Sequence, residues 1–516
     1  MSNSRNRSFD YVVIGAGTAG CVVAARLTED PDVRVLLLES GPADEHQLIP
    51  VPGAWPRLWG TEVDYAYRTV PQAGLGGAEV SWPRGHTVGG SSSINGMIYL
   101  RGHRDDYDGW EREFGVTGWS YAEVLPYLCK SESVPGADPT WRGMDGPMRP
   151  ARAGDPHPLS KAFLAAAAAA GYPISADLNG ALAEGAGWND LAVHDGRRQS
   201  LADAYLKPVL SRPNLTLATG SRAVQLLVRG GRCVGVSYSQ DGQAKQAHPE
   251  AEVILSAGAI DSPRLLLLSG IGPADELRSA GVKVHHDLHG VGRNLHDHPL
   301  TSIVYSTIRE SPASMRSSGE VSLTWRSESS LTGPDMQLMF SHRPFHLPTL
   351  QGPPDGFTFL ITTVPDSRGS IRLRNADPTS PPLIDPNYLA EPRDLSRLLD
   401  AIGVVRNIAG QAPFDPWRGE EVLPGASLSH NELVEFVRRA TGSYFHPVGT
   451  CAMGTGPDAV VDAQLRVRGL PGLRVVDASV MPKIVSVNTN VAVTGIAERA
   501  ADLLTNKSSL LKEASV

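Results

Sequence analysis

The stretch from Asp10 to Glu39, D-Y-V-V-I-G-A-G-T-A-G-C-V-V-A-A-R-L-T-E-D-P-D-V-R-V-L-L-L-E, decides the fold. Residues 11–14 are an apolar run of the length of a buried strand. Gly15, Gly17 and Gly20 follow as G-x-G-x-x-G, residues 21–27 read as a helix, and residues 33–38 as a second buried strand ending at Glu39. Gly15 permits a tight turn, Gly17 admits a pyrophosphate to the backbone, and Gly20 lets helix and strand pack closely. Thr18 and Ala19 lie at the helix start, whose free N–H groups and positive dipole end suit phosphates. Glu39 is placed to accept from a ribose hydroxyl, and an acid there suits a ribose without a 2′-phosphate. Together these predict a dinucleotide-binding α/β unit, with FAD and NAD both open.

With 516 residues the chain has room for two domains or one large discontinuous body. Its 41% hydrophobic and 20% charged content is that of a globular protein, and 53 glycines with 40 prolines predict many turns and long loops. A net charge of −8 offers no basic footprint for nucleic acid or an anionic membrane. Cys21, Cys129, Cys233 and Cys451 are far apart and form no C-x-x-C, which argues against disulfides and zinc and suits a reducing compartment. Residues 1–8 are polar with two arginines, and no run of about 18 apolar residues occurs. The expectation is a cytoplasmic protein without a membrane span.

Residues 41–85 read as a loop-rich excursion punctuated by Trp55, Trp59, Tyr65, Tyr67 and Trp82, packing on itself or covering a cofactor. Then comes G-H-T-V-G-G-S-S-S-I-N-G-M-I-Y-L-R-G, from Gly85 to Gly102. Paired glycines before serines make poor regular structure but a good backbone nest for anionic groups. This segment resembles the first signature of the glucose–methanol–choline (GMC) flavoprotein oxidoreductases, G-x-x-x-G-G-S-S-x-I-N. His86 stands where relatives usually carry Arg or Lys, and Ile94 stands where covalent relatives carry the linking histidine. The resemblance implies non-covalent FAD, with Val88, Gly90, Ser91, Asn95, Gly96, Met97 and Ile98 among its contacts. Ser40 and Val224, the latter in a strand over residues 222–228, are further implied cofactor contacts.

Residues 252–272, E-V-I-L-S-A-G-A-I-D-S-P-R-L-L-L-L-S-G-I-G, match the second signature of that family. Read physically, they are a strand, a helix capped by Asp261 or Ser262 with Pro263 near its first turn, and a glycine stop. His296, Asp297 and His298 follow in a loop; two histidines two residues apart, with no third ligand nearby, read as loop hydrogen bonding rather than a metal site. A helix is expected over residues 161–170 and another over 394–408, with strands over 302–308, 336–340, 357–364 and 370–374. Residues 485–504 read as a turn and a helix, and the tail from 506 to 516 as frayed. The resulting expectation is an α/β protein: a Rossmann-like FAD-binding domain, GMC type, discontinuous in sequence, with an α+β substrate domain on an antiparallel sheet. FAD binding takes residues 1–155, 196–299 and 441–516; the substrate domain takes 156–195 and 300–440.

Oxidising an alcohol requires a base for the hydroxyl proton and a group that holds the oxygen; histidine titrates near neutrality and suits the first task. Carried over from the family, the base is His446 of H-P-V-G-T, the oxygen holder is Asn488, and the electrons pass from the substrate carbon to flavin N5. Asp477, Ala478, Thr489, Asn490 and Val491 are implied around the cofactor, although Ala492 replaces the usual proline. Gln337 and Phe445 are implied at the substrate. Tyr444 and Phe445, beside His446, favour an aromatic or furanic primary alcohol, because rings stack on rings. The expected function is FAD-dependent oxidation of such an alcohol to the aldehyde, most like aryl-alcohol and hydroxymethylfurfural oxidases, with O2 or a quinone-type acceptor. A choline-like or aliphatic alcohol dehydrogenase is the alternative, and an FAD-containing hydroxynitrile lyase the second. An NAD enzyme would explain residues 15–39 but neither later signature.

Overall fold

The structure, a computed structural model, describes residues 9–312 and 317–513, the last eight as backbone only. The readings of residues 1–8, and of 514–516 in the tail, lie outside the described residues.

The opening stretch forms the centre of a five-stranded parallel sheet. Its strand order is Leu215–Ala218, Val35–Leu38, Phe9–Ile14, Pro249–Leu255, Leu473–Val475. Val12 is flanked by Leu36 on one side and Val253 on the other. Val35–Leu38, residues 11–14 and residues 253–255 are apolar and buried, as the covered centre of a parallel sheet requires. The Thr18–Leu27 helix packs against the Asn490–Glu513 helix, and Arg26 forks onto the buried Glu498 between them. Gly20 is required at that packing: a Cβ there would stand 1.8 Å from the Gly15 carbonyl oxygen. Thr18 Oγ1 donates to Asn490 Oδ1 at 2.7 Å, so the starts of both helices meet at one point.

The second sheet is antiparallel and seven-stranded. Pro299–Thr307, Gly356–Thr363, Met336–Ser341 and Val321–Trp325 form its body, with Arg418–Leu423 and Gly185–Trp188 at its edges and Thr441–Ser443 paired with Pro299–Thr307. Helices Pro158–Ala169, Pro392–Ala409 and His430–Ala440 share its apolar core, where Phe163, Phe340, Phe357, Phe359 and Phe414 stack.

Three elements differ from expectation. Ser370–Arg372 pairs with Leu383–Asp385 as a separate ribbon and does not join the large sheet. The last helix runs on through Glu513, nine residues past the expected end at 504. The helix of the second signature is Gly258–Leu268, and neither Asp261 nor Ser262 caps it. The reason is that both side chains serve other partners: Asp261 accepts from Tyr67 Oη at 2.8 Å and pairs with Arg264, and Ser262 Oγ donates to Asp477 Oδ2 at 2.5 Å. Pro263 then sits inside the helix and cannot donate to the Ala259 carbonyl one turn back. Thr450 Oγ1 donates there instead, at 2.6 Å. Among the described residues no helix is long and apolar enough to cross a membrane.

Candidate active site

One long cavity collects most of the residues singled out from the sequence. Gly15, Gly17, Thr18, Ala19, Glu39 and Ser40 line it at the parallel sheet. Gly90, Ser91, Asn95, Gly96, Met97 and Ile98 line it from the serine-rich loop, and Asp477, Ala478, Thr489 and Asn490 from the C-terminal segment. His446, Asn488 and Phe445 line its far end. Gly20, Val88, Val224, Val491 and Gln337 are not on the wall. Val88 is buried under the loop, its carbonyl accepting from Ser93 Oγ at 2.9 Å. Val224 falls in a bulge of its strand, where Ser221, Arg222 and Ala223 face the cavity instead. Val491 and Gln337 are fully buried, and Gln337 Nε2 donates to Asn488 Oδ1 at 3.4 Å.

The lining fits FAD. Gly17 precedes the Thr18–Leu27 helix and provides no capping side chain, so the helix start is open to a phosphate. Gly90 closes on it from the loop: a Cβ on Gly90 would stand 2.7 Å from Gly17 Cα, so only glycine lets the two turns line one slot. Glu39, at the other end, is buried and held by the Ala16 and Gly41 N–H groups, both at 2.8 Å. Burial pushes its carboxyl up while those donors pull it down. Asp477 is saturated by the chain itself: Gly258 N at 2.9 Å and Ser262 Oγ on one oxygen, Ser479 N at 2.8 Å and Ser479 Oγ on the other.

At the far end the hydrogen bonds fix the protonation of His446. Asn488 Nδ2 stands 3.1 Å from His446 Nε2. An amide nitrogen only donates, so Nε2 is a bare acceptor and the ring proton is on Nδ1. His446 Nδ1 stands 3.0 Å from His298 Nδ1 and donates to it, which puts the His298 proton on Nε2. Burial, then His298, then the Arg84 charge, hold His446 well below the ordinary imidazole range; burial pushes His298 down to about 3. Both rings are neutral, and His446 Nε2 presents its lone pair to Asn488, both residues lining the cavity.

The backbone beneath His446 is held as firmly. Asp297 accepts from His446 N at 2.6 Å and from the hydroxyls of Ser443 and Tyr388. Trp82 Nε1 steadies Tyr388 Oη at 3.0 Å. Phe445 takes a φ of +67°, costly for a bulky residue. Its carbonyl accepts from Arg84 at 2.6 Å and its N–H donates to Ser443 Oγ at 2.7 Å, which holds that turn. Tyr444 lies with its ring 4.4 Å from His446, and Phe445 with its ring 5.0 Å from Trp59. Trp59 meets Trp55 at 5.0 Å, and Trp55 stacks on Phe345 at 6.1 Å.

Sequence reasoning missed Arg84, Asp297, His298 and Phe345 as parts of this site. One signal for His298 was present: His298-Pro299 repeats the His446-Pro447 dipeptide. The aromatics of residues 41–85 were read as packing or covering, and Trp55, Trp59 and Tyr65 do line the cavity.

Profiles of the GMC oxidoreductase family match residues 9–300 and 365–497. The mitochondrial choline dehydrogenase of Homo sapiens is 41% identical over 556 aligned residues, covering 99% of this chain and 91% of the relative. The oxygen-dependent choline dehydrogenase of Rhizobium etli is 36% identical, covering 98% of this chain and 96% of the relative. Among solved structures, pyridoxine 4-oxidase from Mesorbium loti superposes with a TM-score of 0.93 at 37% identity, covering 96% of this chain and 99% of that one. The chain therefore belongs to the GMC oxidoreductase family, as an FAD-dependent oxidoreductase acting on CH–OH donors.

Proposed function

We propose that this protein oxidises a primary alcohol carried on an aromatic or heteroaromatic ring to the aldehyde. The observation that carries the reading is the wall of rings at the reactive end: Trp55, Trp59, Phe345 and Phe445 beside His446 and Asn488. A flat substrate ring buries well between such faces. The carboxylates on the cavity wall are Glu39, Asp261 and Asp477, all on cofactor-side segments, so the alcohol pocket offers no counter-charge for a cation among the described residues. Pyridoxine itself bears hydroxymethyl groups on a pyridine ring, which accords with this chemistry.

Bound FAD supplies the two-electron acceptor. The chain's own groups do the rest. A substrate hydroxyl placed between His446 and Asn488 replaces their 3.1 Å contact with two bonds. It would donate to Nε2 and accept from Asn488 Nδ2, which would hold the oxygen and leave the carbinol carbon to face the bound cofactor. Nε2 removes the hydroxyl proton as the carbon is oxidised, and the imidazolium so formed shares its other proton with His298 Nδ1. Gln337 holds the amide, His298 the imidazole, and Asp297 the backbone beneath it, which is where positioned groups gain rate. The electrons pass on to O2 or to a quinone-type acceptor, which reoxidation of the substrate-reduced protein by air separates.

A second reading is a choline-type alcohol. The choline dehydrogenase relatives favour it, and indole faces attract quaternary ammonium. The deciding experiment is kcat/KM for benzyl alcohol and pyridoxine against choline. Preference for the ring alcohols supports the proposal; preference for choline replaces it with the second reading.

A further inference from the structure

Arg198 is a buried cation with no acid beside it. It lies on the Arg197–Arg198 strand, is 4% exposed, and faces neutral acceptors. Its Nε donates to the Ile49 carbonyl at 2.8 Å; one terminal nitrogen donates to the Ser92 carbonyl at 3.2 Å and to Asn95 Oδ1 at 2.8 Å. The other terminal nitrogen is buried without a partner. Four other buried arginines sit against carboxylates: Arg101 and Arg142 on Glu132, Arg264 on Asp261, Arg474 on Glu252; Arg84, half-buried on the cavity wall, bonds to the Pro83 and Phe445 carbonyls. The acid whose field reaches Arg198, Asp203, is engaged by Lys207 at 2.7 Å and by Ser200. Burial without a counter-ion pushes the guanidinium down to about 9. An isolated buried charge is costly, and chains normally pair it.

Beyond the loop it grips lies the cofactor cavity, whose wall Arg198 itself does not join. Ser92 and Asn95 belong to the serine-rich loop, and Asn95 lines the cavity together with Ser91 and Gly96. Asn95 Oδ1 also accepts from Met97 N at 3.0 Å, and Ser92 Oγ accepts from Leu201 N at 3.0 Å. The segment carrying Arg198 therefore grips the back of the loop whose front faces FAD. FAD brings negative charge in its pyrophosphate and gains more on reduction.

We propose that Arg198 is the built-in counter-charge of the cofactor: it grips residues 92–95 through neutral acceptors alone, so that its charge stays uncancelled until an anionic cofactor fills the cavity. It is a positioning residue, acting through the loop and through its field.

The test compares holoenzyme with Arg198→Gln, Arg198→Lys and Asn95→Ala. The readouts are FAD dissociation, followed by flavin fluorescence, and the two-electron midpoint potential, which reports the ratio of affinities for reduced and oxidised FAD. Arg198→Gln should weaken FAD at least tenfold and lower that ratio about tenfold, equivalent to about 30 mV for a two-electron couple. Arg198→Lys keeps the charge and loses the fork, so it should loosen FAD yet hold the ratio within about twofold. Asn95→Ala keeps the charge and cuts the link, so the ratio should again hold. An unchanged ratio in Arg198→Gln, or a tenfold fall in Arg198→Lys or Asn95→Ala, overturns the proposal. Should Arg198→Gln not fold, Arg198→Met, which also removes the charge, should lower the ratio about tenfold, and an unchanged ratio there overturns the proposal.

Discussion

The Nδ1 atoms of His446 and His298 stand 3.0 Å apart, although the residues are separated by 148 positions. One of the two nitrogens must carry the proton, and the donor opposite, Asn488 Nδ2, assigns it to His446. His298 therefore accepts the Nδ1 proton of His446 and, with Asn488, holds that tautomer. His298→Ala should lower kcat about tenfold to a hundredfold with little change in KM, because a misoriented base loses rate rather than substrate affinity. His298→Asn, which can still accept at its amide oxygen, should recover part of that loss. Steady-state kinetics on the three proteins check it.

Asn488→Ala removes the donor proposed for the substrate oxygen and leaves His446 Nε2 without its partner. A loss of about 10²–10³ in kcat is expected, the usual effect of deleting a donor to developing charge. Equal losses in kcat and kcat/KM would mark the contact as one made in the transition state.

His446 is neutral well below the ordinary imidazole range, so activity should not follow a titration near 6.5. The expected profile of kcat/KM is flat through the ordinary imidazole range, with its acid limb below that range. A limb centred near 6.5 would place the base elsewhere or show it exposed.

The sign is the same for stability. His342, stacked at 4.2 Å on His157, is pushed down to about 3, chiefly by burial. Its folded value lies below the unfolded one, so its contribution is complete above about pH 6.5 and is lost as pH falls toward 3. The slope is about 1.4 kcal/mol per pH unit for such a group. The Tm of the holoenzyme should fall between pH 6.5 and 4.5, and His342→Phe should make that fall shallower.

The parts legible in the sequence were those with local spacing. Gly15, Gly17, Gly20 and Glu39 announce the parallel sheet and one end of the cavity because turn, helix and strand need them at fixed intervals. His446 and Asn488 were legible through resemblance, and they stand in contact. What sequence could not give was convergence from remote segments. Asp297 holds the backbone of His446 from 149 residues away, and Trp55 meets Phe345 across nearly 300. No periodicity encodes such pairs. The cap assigned to Asp261 or Ser262 failed for the same reason: Tyr67 and Asp477, from elsewhere in the chain, take those side chains.

Thr450 ties the H-P-V-G-T segment to the second signature. Its hydroxyl donates to the Ala259 carbonyl that Pro263 leaves unpaired. Thr450→Val keeps the shape and leaves that buried carbonyl bare, at a cost of about 1–3 kcal/mol. A lower Tm with kcat nearly intact is the expected result.

The most direct test is anaerobic mixing of the yellow holoenzyme with benzyl alcohol, pyridoxine or choline, in the wild type and in His446→Ala. The account predicts that the ring alcohols bleach the wild-type flavin faster than choline does, and that bleaching by any of them slows about 10²–10⁴-fold in the variant. Bleaching that proceeds at the wild-type rate without His446, or a wild-type flavin that no alcohol bleaches, would contradict it.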